Sequence, residues 1–239
     1  TPPFMPFLTA EWRRLIMANY AVSPEILSPW LPRGTEIDLH EGVCYVSIVG
    51  FLFRDVRIKG VPIPLHRTFE EVNLRFYVRH FADGEWRRGV VFVRELVPRH
   101  AITLVANTVY RENYRTVPMT HGWYETDDHL EVSYRWKQGH WQELRVRAEK
   151  DPVPITVGSN EEFITEHYWG YARYDEQQTN EYAVTHPRWQ IYPVTDYTIN
   201  VDCGAVYGPE FAHLTDTTPD SVFLAEGSEI AVMEGVRVG

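Results

Sequence analysis

The sequence contains very little lysine. Of its 23 basic residues, three are Lys and the other twenty are Arg. Covalent catalysis through a Schiff base needs an amine, and Arg cannot supply one because its guanidinium stays protonated at any physiological pH. The three lysines, Lys59, Lys137 and Lys150, lie beside Gly or Pro turn signals, so we expect all three to be exposed.

Positive charge, cysteine and long apolar runs are also scarce. The formal net charge is −10, and this excess of acid argues against a nucleic-acid partner or a polybasic membrane surface. No apolar run approaches the roughly 20 residues that cross a bilayer. Cys44 and Cys203 lie in apolar, strand-like runs, and the first residues resemble no secretory signal. We therefore expect a reduced, cytoplasmic protein.

The sequence lacks several motifs that would indicate a reaction class. There is no Gly-rich phosphate loop and no dinucleotide fingerprint, and the segment around Ser47 lacks the first Gly of a serine nucleophile elbow. The ten histidines include no pair at helical spacing, and the two cysteines are far apart in sequence. We therefore expect neither a cofactor nor a metal ion.

What the sequence has in abundance is strand-like alternation between turn signals, without repeats or a linker. Strands are predicted at about 36–40, 43–54, 68–81, 89–97, 118–126, 129–138, 141–150, 168–175, 188–202 and 221–234. The three over 118–150 are typical of an antiparallel meander. We interpret residues 1–239 as a single α+β domain whose large, mostly antiparallel sheet is curled or closed.

Helical signals are few. A helix is predicted over 10–20, another after Ser23, and a third in the segment opened by Pro98, where Ile102, Val105 and Val109 form a stripe. A fourth follows the capping box of Ser159 and Glu162.

The segment "TFEEVNLRFYVRH" over 68–80 alternates most clearly. It places Val72, Leu74, Phe76 and Val78 on one side, and Glu71, Asn73, Arg75, Tyr77 and Arg79 on the other. The polar side has two interpretations. Either it faces bulk water with ion pairs worth under about 1 kcal/mol, or it lines a cavity where charged groups are functional.

Five segments, in the same order, resemble the YqjF-like proteins, which are related in fold to acetoacetate decarboxylase. The segments are "LSPWLPRGTEIDLHEGVCYVSIVGFLF", "FEEVNLRFYVR", "EEFITEHYWGY", "VTHPRWQIYPV" and "FLAEGSEIAV". The resemblance spans nearly the whole chain. It implies a closed antiparallel β-barrel or cone with a few packed helices and a central cavity.

By this resemblance, the polar side of segment 68–80 faces the cavity. We then expect Glu71 and Arg75 to pair, because burying either charge alone is costly, and a net positive remainder to hold an anion. Tyr114 and Arg115 stand where the decarboxylases carry two lysines, so the Schiff-base mechanism does not transfer. The predicted catalytic residues are Glu71, Arg75, Tyr114 and Arg115, and the predicted ligand-binding residues are Asn73, Tyr77, Glu95 and Met119.

Three functional hypotheses remain open. The first is an enzyme that acts on a small oxo-acid-like anion, with Glu71 as acid or base and with Arg and Tyr groups stabilising negative charge. His186 is an alternative base, or a hydrogen-bonded strand-edge residue. The second is a non-catalytic protein that binds a small molecule, and the third is an interaction module whose charged interior is structural. The many aromatic residues favour a homodimer, the commonest assembly.

Overall fold

The computed structural model describes residues 6–63, 67–99, 103, 107 and 111–239. Within these residues the chain forms mainly β-strands. In chain order they are β1 (Leu8–Ala21), β2 (Thr35–Ile37), β3 (Tyr45–Ile58), β4 (Val61–Pro62), β5 (Phe69–Ala82), β6 (Glu85–Val97), β7 (Tyr114–Thr116), β8 (Met119–Glu125), β9 (Leu130–Gln138), β10 (His140–Ala148), β11 (Val153–Pro154), β12 (Trp169–Arg173), β13 (Thr179–Thr185), β14 (Gln190–Tyr192), β15 (Val194–Asn200), β16 (Ser221–Val232) and β17 (Val236–Val238).

Thirteen of the described strands form one curled sheet. β16, β1, β3, β5, β6, β12 and β13 lie side by side in that order, and β13 pairs again with β16. Neighbours in this circuit are antiparallel, except that β6 and β12 are parallel. The circuit of paired strands therefore closes on itself and surrounds an interior, which confirms the predicted fold class.

A smaller sheet of four strands, in the order β15, β10, β9 and β8, packs against the outside of the curled sheet. Ile48 and Leu74 of the curled sheet share one buried cluster with Tyr134 and Leu144 of the small sheet. The sheets approach closely at Gly50, where an added Cβ would lie 2.9 Å from Tyr134 Cδ2. The predicted meander over 118–150 is confirmed.

Strand β5 is buried on both faces. Leu74 and Phe76 belong to the apolar cluster between the two sheets. Glu71, Asn73 and Arg75 point the other way, into the interior of the curled sheet, and are also buried. The alternation seen in the sequence thus separates a conventional core from a polar interior, rather than a core from water.

The predicted helix over 10–20 is wrong, because this segment is strand β1. β1 pairs with β16 along one edge and with β3 along the other, and all residues from 15 to 20 are buried. A strand covered on both faces reads as a continuous apolar run, which periodicity alone does not distinguish from a buried helix.

The other predicted helices are short or lie outside the described residues. A 3-10 helix spans Pro24–Trp30, and the helix after the capping box, α1, spans Asn160–Thr165 with Ser159 as its N-cap. α2 spans Cys203–Tyr207, and a second 3-10 helix spans Pro209–Asp216. The predicted stripe of Ile102, Val105 and Val109 falls outside the described residues.

Several strands differ from the prediction. The predicted strand over 188–202 is interrupted at Pro193, so that β14 joins the curled sheet and β15 joins the small one. The sequence also gave no indication of β7 or β13. In the described part of the chain, no helix is both long enough and apolar enough to span a membrane.

Candidate functional site

The interior of the curled sheet contains a cavity of about 140 Å³. Much of its wall is apolar or aromatic, with side chains from β1, β3 and the segment around Trp189. Trp12 packs edge-on against Phe51 and Trp189 and joins these parts of the wall. His186 also lines the cavity and stacks on Trp189, with ring centroids 4.2 Å apart. The cavity therefore suits a ligand with an apolar portion.

Three buried glutamates form the polar part of the cavity wall. Glu71 lies on β5, Glu95 lies on β6, and Glu112 precedes β7. Their exposed fractions are 2%, 2% and 9%. Carboxyl groups so far from water favour the neutral form unless a cation compensates them.

Strand pairing brings the polar groups together. Asn73 of β5 lies opposite Glu95 of β6, and Glu95 lies opposite Tyr114 of β7. Directly opposed residues in neighbouring strands point to the same face, so these three side chains form a row across the cavity wall. Glu71 lies two residues before Asn73 and shares that face.

Glu71 accepts two hydrogen bonds within this cluster. Asn73 Nδ2 donates to one carboxyl oxygen at 2.9 Å, and the Tyr114 hydroxyl donates to the other at 3.0 Å. Burial raises the pKa of Glu71 to about 7, although both hydrogen bonds act to lower it. A carboxyl with a pKa near neutrality can donate or accept a proton at physiological pH.

The other two carboxyls are held in the neutral form more strongly. Burial raises the pKa of Glu95 well above its ordinary value, and the charges of Glu112 and Glu71 raise it further. Burial raises the pKa of Glu112 to about 8, despite a hydrogen bond of 2.6 Å from the Tyr182 hydroxyl. Glu95 Oε2 and Asn73 Oδ1 have no hydrogen-bond partner among the described residues.

Arg75 reaches the cavity but does not pair with Glu71, so the predicted ion pair is wrong. The two residues are four positions apart on one strand, which separates their Cα atoms by about 13 Å. Arg75 Nη2 donates instead to the carbonyl of Ile164 in α1 at 3.2 Å, and Nε donates to the Tyr77 hydroxyl at 3.4 Å. The wall also carries three carboxyls, so the expected positive remainder requires these carboxyls to be neutral.

Tyr77 lies behind Arg75, away from the cavity wall. Its hydroxyl is 2.6 Å from Ser47 Oγ, which donates in turn to Asn19 Oδ1 at 2.6 Å. This buried chain of hydrogen bonds fixes the hydroxyl that Arg75 contacts. The structure therefore places Tyr77 as a support for Arg75, whereas the sequence predicted a ligand contact.

Two further predicted site residues, besides Tyr77, lie away from the cavity. Arg115 is exposed, because it follows Tyr114 on β7 and neighbouring strand residues point to opposite faces. Met119 is partly buried and packs against the cluster between the two sheets. The described cavity wall therefore contains Glu71, Asn73, Arg75, Glu95 and Tyr114 of the eight predicted residues.

No lysine lines the described cavity wall. Lys59 and Lys137 are exposed, and Lys150 lies 3.3 Å from Glu125 at the edge of the small sheet. The sequence-based expectation of exposed lysines therefore holds for Lys59 and Lys137, while Lys150 is partly exposed and ion-paired. Among the described residues that line this cavity, none supplies a lysine amine for a Schiff base.

Glu112, Tyr182 and His167 line the cavity but were not predicted. Glu112 lies in a segment without regular structure, and Tyr182 lies on the unpredicted strand β13, so neither was marked by alternation. His167 belongs to the segment "EEFITEHYWGY", which had already been singled out for its resemblance. Among the described residues, no group of three His, Cys, Asp or Glu side chains is arranged to hold a metal ion.

The circuit of strands and its cavity define an acetoacetate decarboxylase-like fold. The structure resembles acetoacetate decarboxylase from Legionella pneumophila, with a TM-score of 0.65 and 14% identity over 98% of this chain and 87% of that one. It also resembles the enduracididine biosynthesis enzyme MppR complexed with pyruvate, with a TM-score of 0.65 and 13% identity over 100% and 91% of the two chains. Identities this low establish the fold alone.

The chain belongs to the DUF2071 family, described as an uncharacterized conserved protein, whose model matches residues 9–229. It is 25% identical to the uncharacterized protein YqjF of Bacillus subtilis (strain 168) over 181 residues. The aligned region covers 74% of this chain and 72% of YqjF. The resemblance to YqjF-like proteins that the sequence motifs indicated is thereby confirmed.

Proposed function

We propose that this protein binds a small oxo-acid in the cavity and catalyses proton transfer beside its carbonyl group, without a covalent intermediate on the protein. The observation that carries the proposal is Glu71, a buried carboxyl with a pKa raised to about 7, held by Asn73 and Tyr114 in the cavity wall. Such a group can give a proton to a carbonyl oxygen as an enol forms.

The size of the cavity supports a very small ligand. An engineered apolar cavity of about 150 Å³ in another protein holds benzene, which has about six non-hydrogen atoms. The cavity of about 140 Å³ in this protein is of the same size. Pyruvate, the ligand named for the complex of the structurally similar MppR, also has about six non-hydrogen atoms.

The hydrogen bonding of Arg75 is evidence that the ligand is acidic. Its Nε and Nη2 atoms are engaged with Tyr77 and Ile164, whereas Nη1 makes no hydrogen bond to a described residue. A guanidinium with a spare donor in a confined wall suits a carboxylate, which accepts charge-assisted hydrogen bonds. Because Glu95 and Glu112 favour the neutral form, they can donate hydrogen bonds to an anion rather than repel it.

The proposal is tested by hydrogen exchange in the methyl group of pyruvate, followed by proton NMR in D₂O. We expect the wild-type protein to accelerate the exchange, and Glu71→Gln to lower the rate by about 100-fold or more. Arg75→Ala should mainly weaken binding of pyruvate. Glu70→Gln is a matched control, because Glu70 is the preceding residue on β5 and contacts His121 on the other side of the sheet. Full activity in both cavity variants would count decisively against the proposal.

A second candidate function is a non-catalytic protein that binds a small molecule. The observation that favours it is the largely apolar and aromatic wall opposite the carboxyls, which can hold a ligand without chemistry. The two candidates are separated by one comparison. A thermal shift with pyruvate or another small carboxylate that is not accompanied by hydrogen exchange supports the binding protein.

A further inference from the structure

His167 and Asp38 form a hydrogen-bonded pair at the cavity, on elements other than those that carry the three glutamates. Asp38 follows β2, and His167 lies two residues past the end of α1. His167 Nε2 is 3.1 Å from Asp38 Oδ2, and Arg88 Nε donates to the same oxygen at 2.6 Å. The His167 side chain is 1% exposed and that of Asp38 is 8% exposed, so the pair is shielded from water.

The hydrogen bonds determine which nitrogen of His167 carries the proton. Burial opposes ionisation of Asp38, but hydrogen bonds from His167 and Arg88 outweigh burial and lower its pKa, so the carboxylate is charged and can only accept. His167 Nε2 must therefore donate. Burial lowers the pKa of His167 to about 4, so at neutral pH the ring is uncharged and Nδ1 carries a lone pair.

This lone pair has no partner. His167 Nδ1 is buried and makes no hydrogen bond to any described residue, although His167 itself lines the cavity. The ring packs against Tyr77 and Phe163, with centroid distances of 4.8 and 5.0 Å. The Tyr77 hydroxyl is already bonded to Ser47 and Arg75. A buried acceptor without a hydrogen-bond partner is rare, so a bound ligand is a reasonable source of the missing partner.

We propose that His167 is the catalytic base of the cavity and that Asp38 is the residue that positions it. This inference rests on the proposed function. The C–H proton next to the ligand carbonyl moves to His167 Nδ1, and the C–H electron pair forms the carbon–carbon double bond of the enol. The carbonyl π pair becomes a lone pair on oxygen, which takes the proton of the neutral Glu71 carboxyl. Asp38 stabilises the imidazolium, and the reverse step restores both groups.

The division of roles follows from the two environments. Glu71 is the acid because it retains its proton up to near-neutral pH, and His167 is the base because its ring is neutral over the same range. Arg75 lies close enough to disfavour charge on His167. A ligand carboxylate bound to Arg75 would offset this effect, so the ring gains basicity when the cavity is filled.

The test uses pyruvate as the probe, with methyl hydrogen exchange in D₂O as the readout of base activity. We expect His167→Gln to slow exchange by about 100-fold or more, with pyruvate affinity changed by less than about threefold. His80→Gln is the matched control, because His80 lies on β5 outside the cavity wall and contacts the Gly34 carbonyl. An unchanged rate in His167→Gln overturns the base role while leaving the proposed function intact. No exchange in the wild type overturns both.

A second measurement does not depend on a stable His167 variant. In the wild-type protein, nitrogen NMR of the histidine rings should show His167 as the Nε2–H tautomer, with an Nδ1 signal that changes when pyruvate is added. In Asp38→Asn we expect a mixture of tautomers and exchange slowed by about tenfold. An Nδ1–H tautomer in the wild type, or an Nδ1 signal indifferent to pyruvate, would overturn the inference even if no variant folds.

Discussion

At the scale of single residues, the chemistry of the cavity comes from carboxyl groups that are kept away from water. Glu71, Glu95 and Glu112 all have raised pKa values, and burial is the largest cause in each case. A neutral carboxyl is both a donor and an acceptor, whereas a charged one only accepts. This is why a wall with three acidic residues and one Arg can still face an anion.

Glu112 gives a stability prediction with a definite sign. Its pKa is about 8 in the folded protein and 4.5 as the ordinary value. Its contribution to the free energy of unfolding is fully present below pH 4.5 and is lost as pH rises toward 8, because the unfolded chain releases the proton first. The Gln side chain of Glu112→Gln stays neutral at every pH. The free energy of unfolding of this variant, relative to that of the wild type, should therefore increase between pH 4.5 and pH 8 by on the order of a few kcal/mol.

Urea unfolding at pH 5 and pH 8 measures this change. Glu176→Gln serves as the control, because Glu176 is exposed, and it should leave the pH dependence of stability unaltered. A Glu112→Gln variant whose stability runs parallel to that of the wild type at both pH values would show that Glu112 is ionised in the folded protein.

Strand alternation determined which residues of the site could be predicted from the sequence. Glu71, Asn73 and Arg75 alternate with large apolar residues, so their shared face could be predicted even though the orientation of that face required the resemblance. Arg115 was placed in the cavity together with Tyr114, although adjacent strand residues cannot both point inward. His167 follows a helix rather than a strand, and its role depends on Asp38, which is 129 positions away.

At the scale of elements, the short helix α1 positions the side chain of Arg75. It has six residues and carries the Ile164 carbonyl that accepts a hydrogen bond from Arg75. A helix this short has little stability of its own and depends on its cap and its packing. Ser159 supplies the cap by accepting a hydrogen bond from the Glu162 backbone N–H.

Ser159→Ala should therefore lower the free energy of unfolding by about 1 kcal/mol. Ser23→Ala provides a comparison within the same chain, because Ser23 precedes a 3-10 helix but makes no side-chain capping bond to its backbone. We expect a smaller effect at Ser23, as measured by urea unfolding. Equal losses at the two positions would indicate that the cap of α1 contributes nothing specific.

Strands with a clear alternation of polar and apolar residues were predictable, including β5, which is buried on both faces, and segments without that alternation were not. The meander over 118–150 has one outer face and alternates cleanly, so its three strands were found. Strand β1 has neighbours on both edges and on both faces, and its segment was interpreted as a helix because it follows Thr9, a residue that can cap a helix. Closure of the circuit depends on β13, which the sequence did not reveal.

At the scale of the whole molecule, four separate parts of the chain supply the acid groups and their partners. Because these groups surround one cavity, the affinity for an anionic ligand should change with pH as they lose their protons. Below pH 7, Glu71 and Glu112 are protonated and favour an anion. Above their pKa values of about 7 and 8 they are charged and repel it.

We therefore expect the affinity for pyruvate to fall by at least about tenfold between pH 6 and pH 9, since each factor of ten corresponds to about 1.4 kcal/mol. Isothermal titration calorimetry at constant ionic strength measures the affinity for pyruvate at each pH. The double variant Glu71→Gln, Glu112→Gln should lose most of this dependence. An affinity that rises with pH would contradict the neutral-carboxyl interpretation of the cavity.

The pairing between β13 and β16 closes the circuit of strands through only two residue pairs, Val184 with Val232 and Thr185 with Ala231, whereas β1 and β16 share eleven. A short junction opens more readily than a long one, so backbone amides at this junction should exchange with deuterium faster than those between β1 and β16. The circuit thus has two short junctions, because β6 and β12 also share two residue pairs, and brief separation of the strands at either junction would let small molecules enter the interior.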